Sequence, residues 1–186
     1  MRLPDGLCYY SDSLAALVES LNQASEYSEY RKVVMPQLNI LVGTMYGGAL
    51  DVAEQVKPLF EAAGYEVNIA EQPTLDDVTS DDGVSLFVIS TTGSGDYPGN
   101  FVPFVRNLSD QSPALTSLRY GLIALGDSSY ADTFCGAGRQ LDALLEEHGA
   151  RRLGERLEID AMETFMADDA AVPWVETWID EQLKGA

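Results

Sequence analysis

The chain has 186 residues, of which 46% are hydrophobic and 9% aromatic, and this apolar content excludes an intrinsically disordered chain. Its net charge of −19, from 30 acidic and 11 basic residues, opposes binding to nucleic acid and to anionic membrane surfaces. No apolar run approaches the roughly 18 residues that a membrane span needs, so we expect a folded protein of the cytoplasm.

The acidity has two explanations that the sequence leaves open. Acidic residues on one face would steer a basic protein partner towards an exposed site. General solubility, or adaptation to a salty cytoplasm, explains acids spread over the whole chain equally well.

The cysteine and histidine content argues against a disulfide and against a metal centre. Cys8 and Cys135 lie far apart in the sequence and in no paired spacing, which favours reduced thiols. The chain has one histidine and no cluster of Cys, His and acidic residues, so we predict no metal site.

Residues 1–37 are predicted to be an N-terminal extension in front of a main domain at residues 38–186. Ser11 and Ser13 can cap a short amphipathic helix. Its apolar stripe consists of Leu14, Leu17, Val18 and Leu21. We expect this stripe to pack on the main domain, with self-association or partner binding as the alternatives.

The main domain alternates strand and helix patterns. Strands are predicted at residues 38–42, 65–69, 84–89, 120–125 and about 153–160, and helices at 49–63, 100–108, 134–148 and 168–183. The second and last strands alternate apolar with polar residues, whereas the other three are nearly continuously apolar. This pattern predicts an α/β fold with a doubly wound five-stranded parallel sheet of order 2-1-3-4-5, with the alternating strands at its edges.

Three short loops follow the first, third and fourth predicted strands. They are Thr44-Met45-Tyr46-Gly47-Gly48-Ala49, Ser90-Thr91-Thr92-Gly93-Ser94-Gly95-Asp96 and Gly126-Asp127-Ser128-Ser129-Tyr130. Because parallel strands point the same way, the loops should meet at one edge of the sheet and form a binding site. The first loop has no Lys or Arg, but its glycines, the Thr44 hydroxyl and the helix that follows suit a phosphate group.

These loops resemble the three flavin-contacting loops of the flavodoxin family. The third loop, continued through Phe134 and Cys135, is the most specific of the three. The resemblance runs from about residue 38 to 183, and the chain is similar in length to short-chain flavodoxins. The FMN-binding domains of diflavin reductases and of sulfite reductase flavoprotein are similar too. The expected fold is therefore flavodoxin-like.

The resemblance implies FMN as the cofactor and assigns its contacts by position. The Thr44 hydroxyl and the amides of the first loop would hold the phosphate, Tyr130 would stack on the flavin, and the Gly93 carbonyl would turn towards it. Phe134 and Cys135 would border the ring, and Asp127 would lie near its pyrimidine edge. The expected cofactor-binding residues are Thr44, Met45, Tyr46, Gly47, Gly48, Ala49, Ser90, Thr91, Thr92, Gly93, Ser94, Gly95, Asp96, Tyr97, Leu125, Gly126, Asp127, Ser128, Tyr130, Phe134 and Cys135.

Three positions depart from the family pattern. Tyr46 stands where the family often has a small hydroxyl residue that contacts the phosphate. Thr92 stands where an aromatic ring is frequent, so the second face of the flavin would be less covered unless Tyr97 folds over it. The spacing from Tyr130 to Phe134 is one residue longer than in some short-chain members.

The resemblance implies a monomeric FMN-dependent electron-transfer protein that shuttles single electrons. Its donor would be a flavin reductase or a ferredoxin/flavodoxin reductase-type enzyme, and its acceptor another redox enzyme, both docking through basic faces. No side chain is expected to be a catalyst. The alternative is an FMN-dependent NAD(P)H or quinone oxidoreductase on the same fold, although no nicotinamide motif is present.

Two other functions fit the residues poorly. The sequence Gly126-Asp127-Ser128 also occurs at the nucleophile of some serine esterases, but the only candidate base, His148, lies at the far end of the next predicted helix. A phosphoacceptor domain of the same strand order needs carboxylates after strands one and three, where this chain has Thr44 and Thr91.

Overall fold

The computed structural model describes residues 35–79 and 83–184. Residues 1–34 of the predicted N-terminal extension, which include its amphipathic helix, lie outside the described residues. Within them, a parallel sheet is covered by helices on both faces. Its strands are β1 (Gln37–Gly43), β2 (Glu66–Ala70), β3 (Val84–Ser90), β4 (Arg119–Gly126), β5 (Arg151–Arg152) and β6 (Leu157–Asp160). The helices are α1 (Gly48–Ala62), α2 (Val102–Gln111), α3 (Gly136–Glu147) and α4 (Asp168–Trp178).

The sheet order is β2-β1-β3-β4-β5, with every pair parallel, which confirms the predicted doubly wound fold. β2 lies at one edge, and the nearly continuous apolar strands β1, β3 and β4 lie inside, as their patterns indicated. Each helix begins and ends within three residues of its prediction, apart from the last. That one changes after Trp178 into a single wider turn over Ile179–Leu183. None of the helices in the described ranges combines the length and apolar character needed to cross a membrane.

The fifth strand position is occupied by two segments, where the sequence predicted one strand near residues 153–160. β5 and β6 both pair with β4. Between them the Leu153 N–H still donates to the Tyr120 carbonyl at 2.7 Å, and residues 154–156 leave the sheet. Gly154 has a φ of +73°, a left-handed conformation that interrupts extended backbone. The indole N–H of Trp178 donates a hydrogen bond of 2.6 Å to the Leu153 carbonyl, which gives this carbonyl a partner outside the sheet.

Two hydrophobic cores lie on opposite faces of the sheet. One packs α1 and α4 against the sheet, and there Phe60 meets Trp178 edge to face at 5.9 Å. A Cβ atom on Gly121 would lie 2.7 Å from the Trp178 ring, so β4 needs glycine at this contact. The other core packs α2 and α3 around Phe87, whose ring contacts Phe101, Phe104 and Tyr120. In the last helix Trp178 is buried in the core, whereas Trp174 is half-buried and stacks on it.

A buried carboxylate ties this edge of the sheet to α3. Asp142 accepts a hydrogen bond of 2.8 Å from the Tyr120 hydroxyl and ion pairs with Arg152 and Arg156. Nearby, Arg139 of α3 forms a two-pronged pair with Glu158 of β6, at 2.9 and 2.7 Å. These contacts fix β6 beside the helix that follows the third loop.

Candidate functional site

The three loops meet in a cavity of about 530 Å³ beyond the carboxyl ends of β1, β3 and β4. This is the position at which doubly wound sheets bind ligands, because the strand order reverses between β1 and β3. The cavity also has the size of an ordinary small-molecule site. Its lining residues are Thr44, Met45, Tyr46, Gly48, Ser90, Thr91, Thr92, Gly93, Leu125, Gly126, Asp127, Tyr130 and Thr133.

The first loop presents a set of open backbone donors. Gly47 has a φ of +96° and turns the chain into α1. Its N–H donates to the Thr44 hydroxyl oxygen at 2.9 Å, so the hydroxyl proton of Thr44 is available to a ligand. Within residues 35–79 and 83–184, no hydrogen-bond acceptor is found for the backbone N–H groups of Met45, Tyr46, Gly48, Ala49 and Leu50. Open amides at a helix N-terminus are suited to an anion.

Asn100 holds this loop in place, and the sequence analysis did not single it out. Its side-chain oxygen accepts from the Thr44 N–H at 3.0 Å. Its side-chain nitrogen donates to the carbonyls of Val42, at 2.9 Å, and Glu71, at 2.8 Å. One amide group thus connects the loops after β1, β2 and β3. Asn100 is 56 residues from Thr44, so no local pattern could reveal the contact.

The second loop is a tight turn braced from α3. Thr92 pairs with Asp96 across the turn, and the Asp96 carboxylate accepts from the Ser94 N–H at 3.1 Å. Gly93 has a φ of +52°, and a Cβ there would lie 2.7 Å from the same carboxylate. On the α3 side, Gln140 donates to the Gly95 carbonyl at 2.7 Å. The helix therefore supports the turn that carries Gly93, and Gln140 is a second residue that sequence reasoning missed.

The third loop is short, capped and strained. The Asp127 carboxylate accepts from the N–H of Ser129 at 2.8 Å and also bonds its hydroxyl. Tyr130 leaves 66% of its surface exposed while it lines the cavity. Ala131 follows with φ +33° and ψ −94°, a conformation that costs free energy and is typical of functional loops. Thr133, which the sequence analysis did not name, also lines the cavity.

A buried hydroxyl at the cavity lacks a partner. Thr91 Oγ1 makes no hydrogen bond to any described residue, although buried polar atoms are normally paired. Because Thr91 lines the cavity, a polar ligand group is the natural partner for this oxygen.

Several predicted contact residues do not line the cavity. Tyr97 stacks on Phe101 at 6.5 Å, and burial raises the pKa of its hydroxyl to about 12. In this structure its ring packs beside Phe101 and is not among the residues that line the cavity. Cys135 is fully buried, with its thiol directed to the Ala124 carbonyl, and Phe134 packs near Arg139. The other predicted residues outside the lining are Gly47, Ala49, Ser94, Gly95, Asp96 and Ser128.

The rival esterase arrangement does not form. His148 lies just beyond the end of α3, where its Nδ1 is 3.1 Å from the Pro113 carbonyl oxygen. Ser128 precedes the start of the same helix. The 12 residues of α3 lie between them and span about 18 Å at the usual helical rise, too far for proton transfer.

The fold and the site together define a doubly wound α/β protein whose first loop offers open amides suited to an anion and whose cavity is lined in part by tyrosine rings. Comparison with known proteins identifies the family. The family model for flavodoxin matches residues 40–174, and this chain belongs to the flavodoxin family. Flavodoxins are FMN-binding electron-transfer proteins, so this assigns both the cofactor and the general function.

The matches extend over nearly the whole length of the relatives. Flavodoxin YqcA of Escherichia coli (strain K12) is 46% identical over 145 residues, which is 77% of this chain and 97% of the relative. Protein MioC of the same strain is 36% identical over 146 residues, 78% of this chain and 98% of the relative. A solved cysteine-to-serine mutant of flavodoxin from Pseudomonas aeruginosa is 39% identical with a TM-score of 0.71, covering 77% of this chain and 97% of that one.

The residues at the cavity fit FMN. Five open amides and the Thr44 hydroxyl can donate hydrogen bonds to a phosphate. They are the donors available to its charge, because the residues that line the cavity include no Lys or Arg. Tyr130 offers an exposed ring face for stacking, and Thr91 Oγ1 offers an unpaired polar atom.

Proposed function

We propose that this protein is a cytoplasmic carrier of single electrons between a reductase and an acceptor redox enzyme, with FMN held in the cavity of the three loops. The observation that carries the proposal is the convergence of open amides, an exposed stacking ring and a partnerless buried hydroxyl on one cavity. FMN supplies the redox chemistry when it is bound. The chain supplies binding, orientation and docking.

Each loop has a distinct part in this proposal. The open amides of the first loop and the Thr44 hydroxyl bind the phosphate, while the Gly47 N–H stays on the Thr44 oxygen. Asn100 keeps that loop in register with the sheet. Tyr130 covers one face of the ring system. Because Tyr97 is half-buried against Phe101 and does not line the cavity, the other face would rest on the backbone around Thr92 and Gly93. The Gly93 backbone is free to reorient at low cost, since glycine tolerates both signs of φ.

Acidic groups at the cavity favour a low reduction potential. Asp127 lines it, and none of its lining residues is basic. One carboxylate at about 10 Å in a water-like dielectric disfavours the addition of an electron by about 0.4 kcal/mol, or about 18 mV. The effect is small for each acid, and salt screens it further.

The surface beside the third loop suits a basic partner with an apolar centre. Met162, Phe165 and Met166, which we call the apolar patch, are 66%, 97% and 51% exposed. The chain from residue 157 to 183 contains eight acidic residues and no Lys, Arg or His. One of the eight, Glu158, is paired with Arg139 and Arg156 and therefore contributes little to the charge of this surface. Such a surface steers basic proteins by charge and then contacts them through apolar side chains. We propose that the protein acts as a monomer that docks its donor and acceptor here.

Titration with FMN tests the cofactor and the carrier role in sequence. Apoprotein should quench the fluorescence of added FMN at one equivalent, and stepwise anaerobic reduction should then proceed in two resolved one-electron stages. Failure to bind FMN would overturn the whole proposal. A single two-electron stage, together with steady-state oxidation of NAD(P)H by the isolated protein, would instead make it an oxidoreductase.

Substitution in the apolar patch tests docking separately. With the basic protein cytochrome c as the probe, Phe165→Ser should lower the second-order rate of electron transfer several-fold and leave FMN affinity unchanged. Val102→Ser is the matched control, because Val102 is also exposed but lies on α2. Equal rates for the two variants, or a dimer that dissociates on Phe165→Ser, would refute docking of a partner at the patch.

A further inference from the structure

Asp160, the last residue of β6, holds two neighbouring segments with one carboxylate oxygen. Its Oδ1 accepts from the N–H of Ser128 at 3.0 Å and from the N–H of Met162 at 3.0 Å. The two nitrogens therefore lie no more than about 6 Å apart. Ser128 belongs to the third loop at the cavity, and Met162 belongs to the turn that carries the apolar patch.

This contact supplies the hydrogen bonds that hold the third loop from outside its own segment, within the described residues. In the described part of the chain, residues 127–134 form hydrogen bonds with one another and with a single outside residue. That residue is Asp160, which bonds Ser128. The loop also contains the strained Ala131, so it does not relax into this shape by local preference alone. An outside contact is needed to hold Tyr130 where it lines the cavity.

Asp160 is itself placed rigidly. It pairs with Gly126 in the register of β6 on β4, and the next N–H, of Ala161, donates to the Gly126 carbonyl at 2.9 Å. Its own carbonyl accepts from Thr164 at 2.8 Å. Hydrogen bonding from the Ser128 hydroxyl and N–H and from the Met162 N–H lowers the pKa of the carboxyl, so it is ionised at neutral pH.

We infer that Asp160 is a positioning residue for the flavin site: it does not line the cavity, but it sets the place of the Tyr130 loop through Ser128. This inference rests on the proposed function, since the loop is the part of the site that stacks on FMN. The same carboxylate joins that loop to the turn beneath the apolar patch. The exposure of Asp160 allows water to replace part of the bonding, so the expected effect is graded.

Three variants separate positioning from general stability. Asp160→Ala removes the acceptor and should raise the FMN dissociation constant by about fivefold to tenfold, the size of effect seen when a capping side chain is lost. Asp160→Asn keeps an oxygen that can accept both N–H groups, and it should stay within about twofold of wild type. Glu163→Ala is the control, because it removes a nearby exposed acid that makes no side-chain hydrogen bond within the described ranges.

Amide NMR of the apoprotein supplies a readout that does not depend on FMN. In Asp160→Ala, the resonances of Ser128 and Met162 should move upfield, while that of Ala161 stays because its bond to Gly126 persists. The urea midpoint of unfolding should change little in all three variants. If Asp160 had only a structural role, Asp160→Ala would instead shift the Ala161 resonance and lower the urea midpoint together.

The outcomes are distinguishable. Four results would overturn the inference and leave FMN binding by the wild type intact. They are wild-type FMN affinity in Asp160→Ala, an equal loss of affinity in Glu163→Ala, and a loss of affinity in Asp160→Asn as large as that in Asp160→Ala. The fourth is a loss of affinity in Asp160→Ala that comes with a shifted Ala161 resonance and a lowered urea midpoint. Absence of FMN binding by the wild-type protein would overturn the proposed function itself, and this inference with it.

Discussion

Substitution of Gly126 by alanine tests how the core shapes the site. Gly126 ends β4 and lines the cavity, and a Cβ there would lie 2.6 Å from the Cys135 nitrogen and 2.9 Å from its sulfur. Ordinary contacts begin at 3.4 Å, so the backbone at Cys135 would have to retreat by about 0.8 Å. It cannot do so freely, because Cys135 has a φ of +52° and its carbonyl accepts from Arg139 in the first turn of α3.

The strain should appear in both stability and affinity. Overpacking of this kind lowers the free energy of unfolding by about 1–3 kcal/mol. Displacement of the third loop should raise the FMN dissociation constant by about tenfold, equivalent to about 1.4 kcal/mol. Urea unfolding of the apoprotein and quenching of FMN fluorescence measure the two effects.

A matched control makes the result decisive. Gly99→Ala adds the same methyl group in the connection after β3, where nothing lies within 4 Å. Its stability and FMN affinity should stay close to those of the wild type. The close packing of β4 on Cys135 does not shape the site if Gly126→Ala keeps the wild-type free energy of unfolding and FMN dissociation constant. The same conclusion follows if Gly99→Ala changes both quantities as much as Gly126→Ala does.

Three further predictions concern groups outside the cavity. Asp142→Ala leaves Arg152 and Arg156 without their buried partner and should lower the free energy of unfolding by about 3 kcal/mol, measured by urea denaturation. An unchanged free energy of unfolding would show that these ion pairs do not stabilise the fold. Arg139 and then Arg156 hold the pKa of Glu158 below 4.5, so its stabilisation is complete above that pH and is lost as the pH falls through the lowered pKa. Glu158→Gln should therefore be less stable than wild type at about pH 7, and the difference should shrink below about pH 4.5 in acid titrations followed by circular dichroism; a constant difference would exclude this pairing. Burial raises the pKa of Cys135 to about 12, so iodoacetamide at about pH 8 should modify it only after unfolding, as mapped by mass spectrometry. Rapid modification in the folded state would show that the thiol is accessible.

Much of the fold could be read from local patterns. The continuous apolar runs at β3 and β4 predicted buried parallel strands because both faces of an inner strand are covered. The meeting of the three loops was predicted from the same strands, because the carboxyl ends of parallel strands lie at one edge of the sheet. The break in the fifth strand was missed because a lone glycine such as Gly154 does not by itself indicate a left-handed turn, and the bond from Trp178 that partners the Leu153 carbonyl there joins residues 25 positions apart.

The candidate site divides in a similar way. Thr44, Gly93 and Tyr130 stand out in the sequence because turns, helix starts and exposed rings leave local signatures. Tyr97 shows the limit of such reasoning. From the sequence, a tyrosine beside this loop could contact the ligand or pack on the core, and only the structure shows its ring half-buried against Phe101.

The sequence by itself determined the order of strands, the family and the three loops, because periodicity and short motifs are local properties of the chain. Only the tertiary structure revealed Asn100, Gln140 and Asp160 as supports of those loops. Their hydrogen bonds span 56, 45 and 32 residues, so their partners are set by the packing of the whole sheet and its helices. Distances of this kind exist only after the chain has folded.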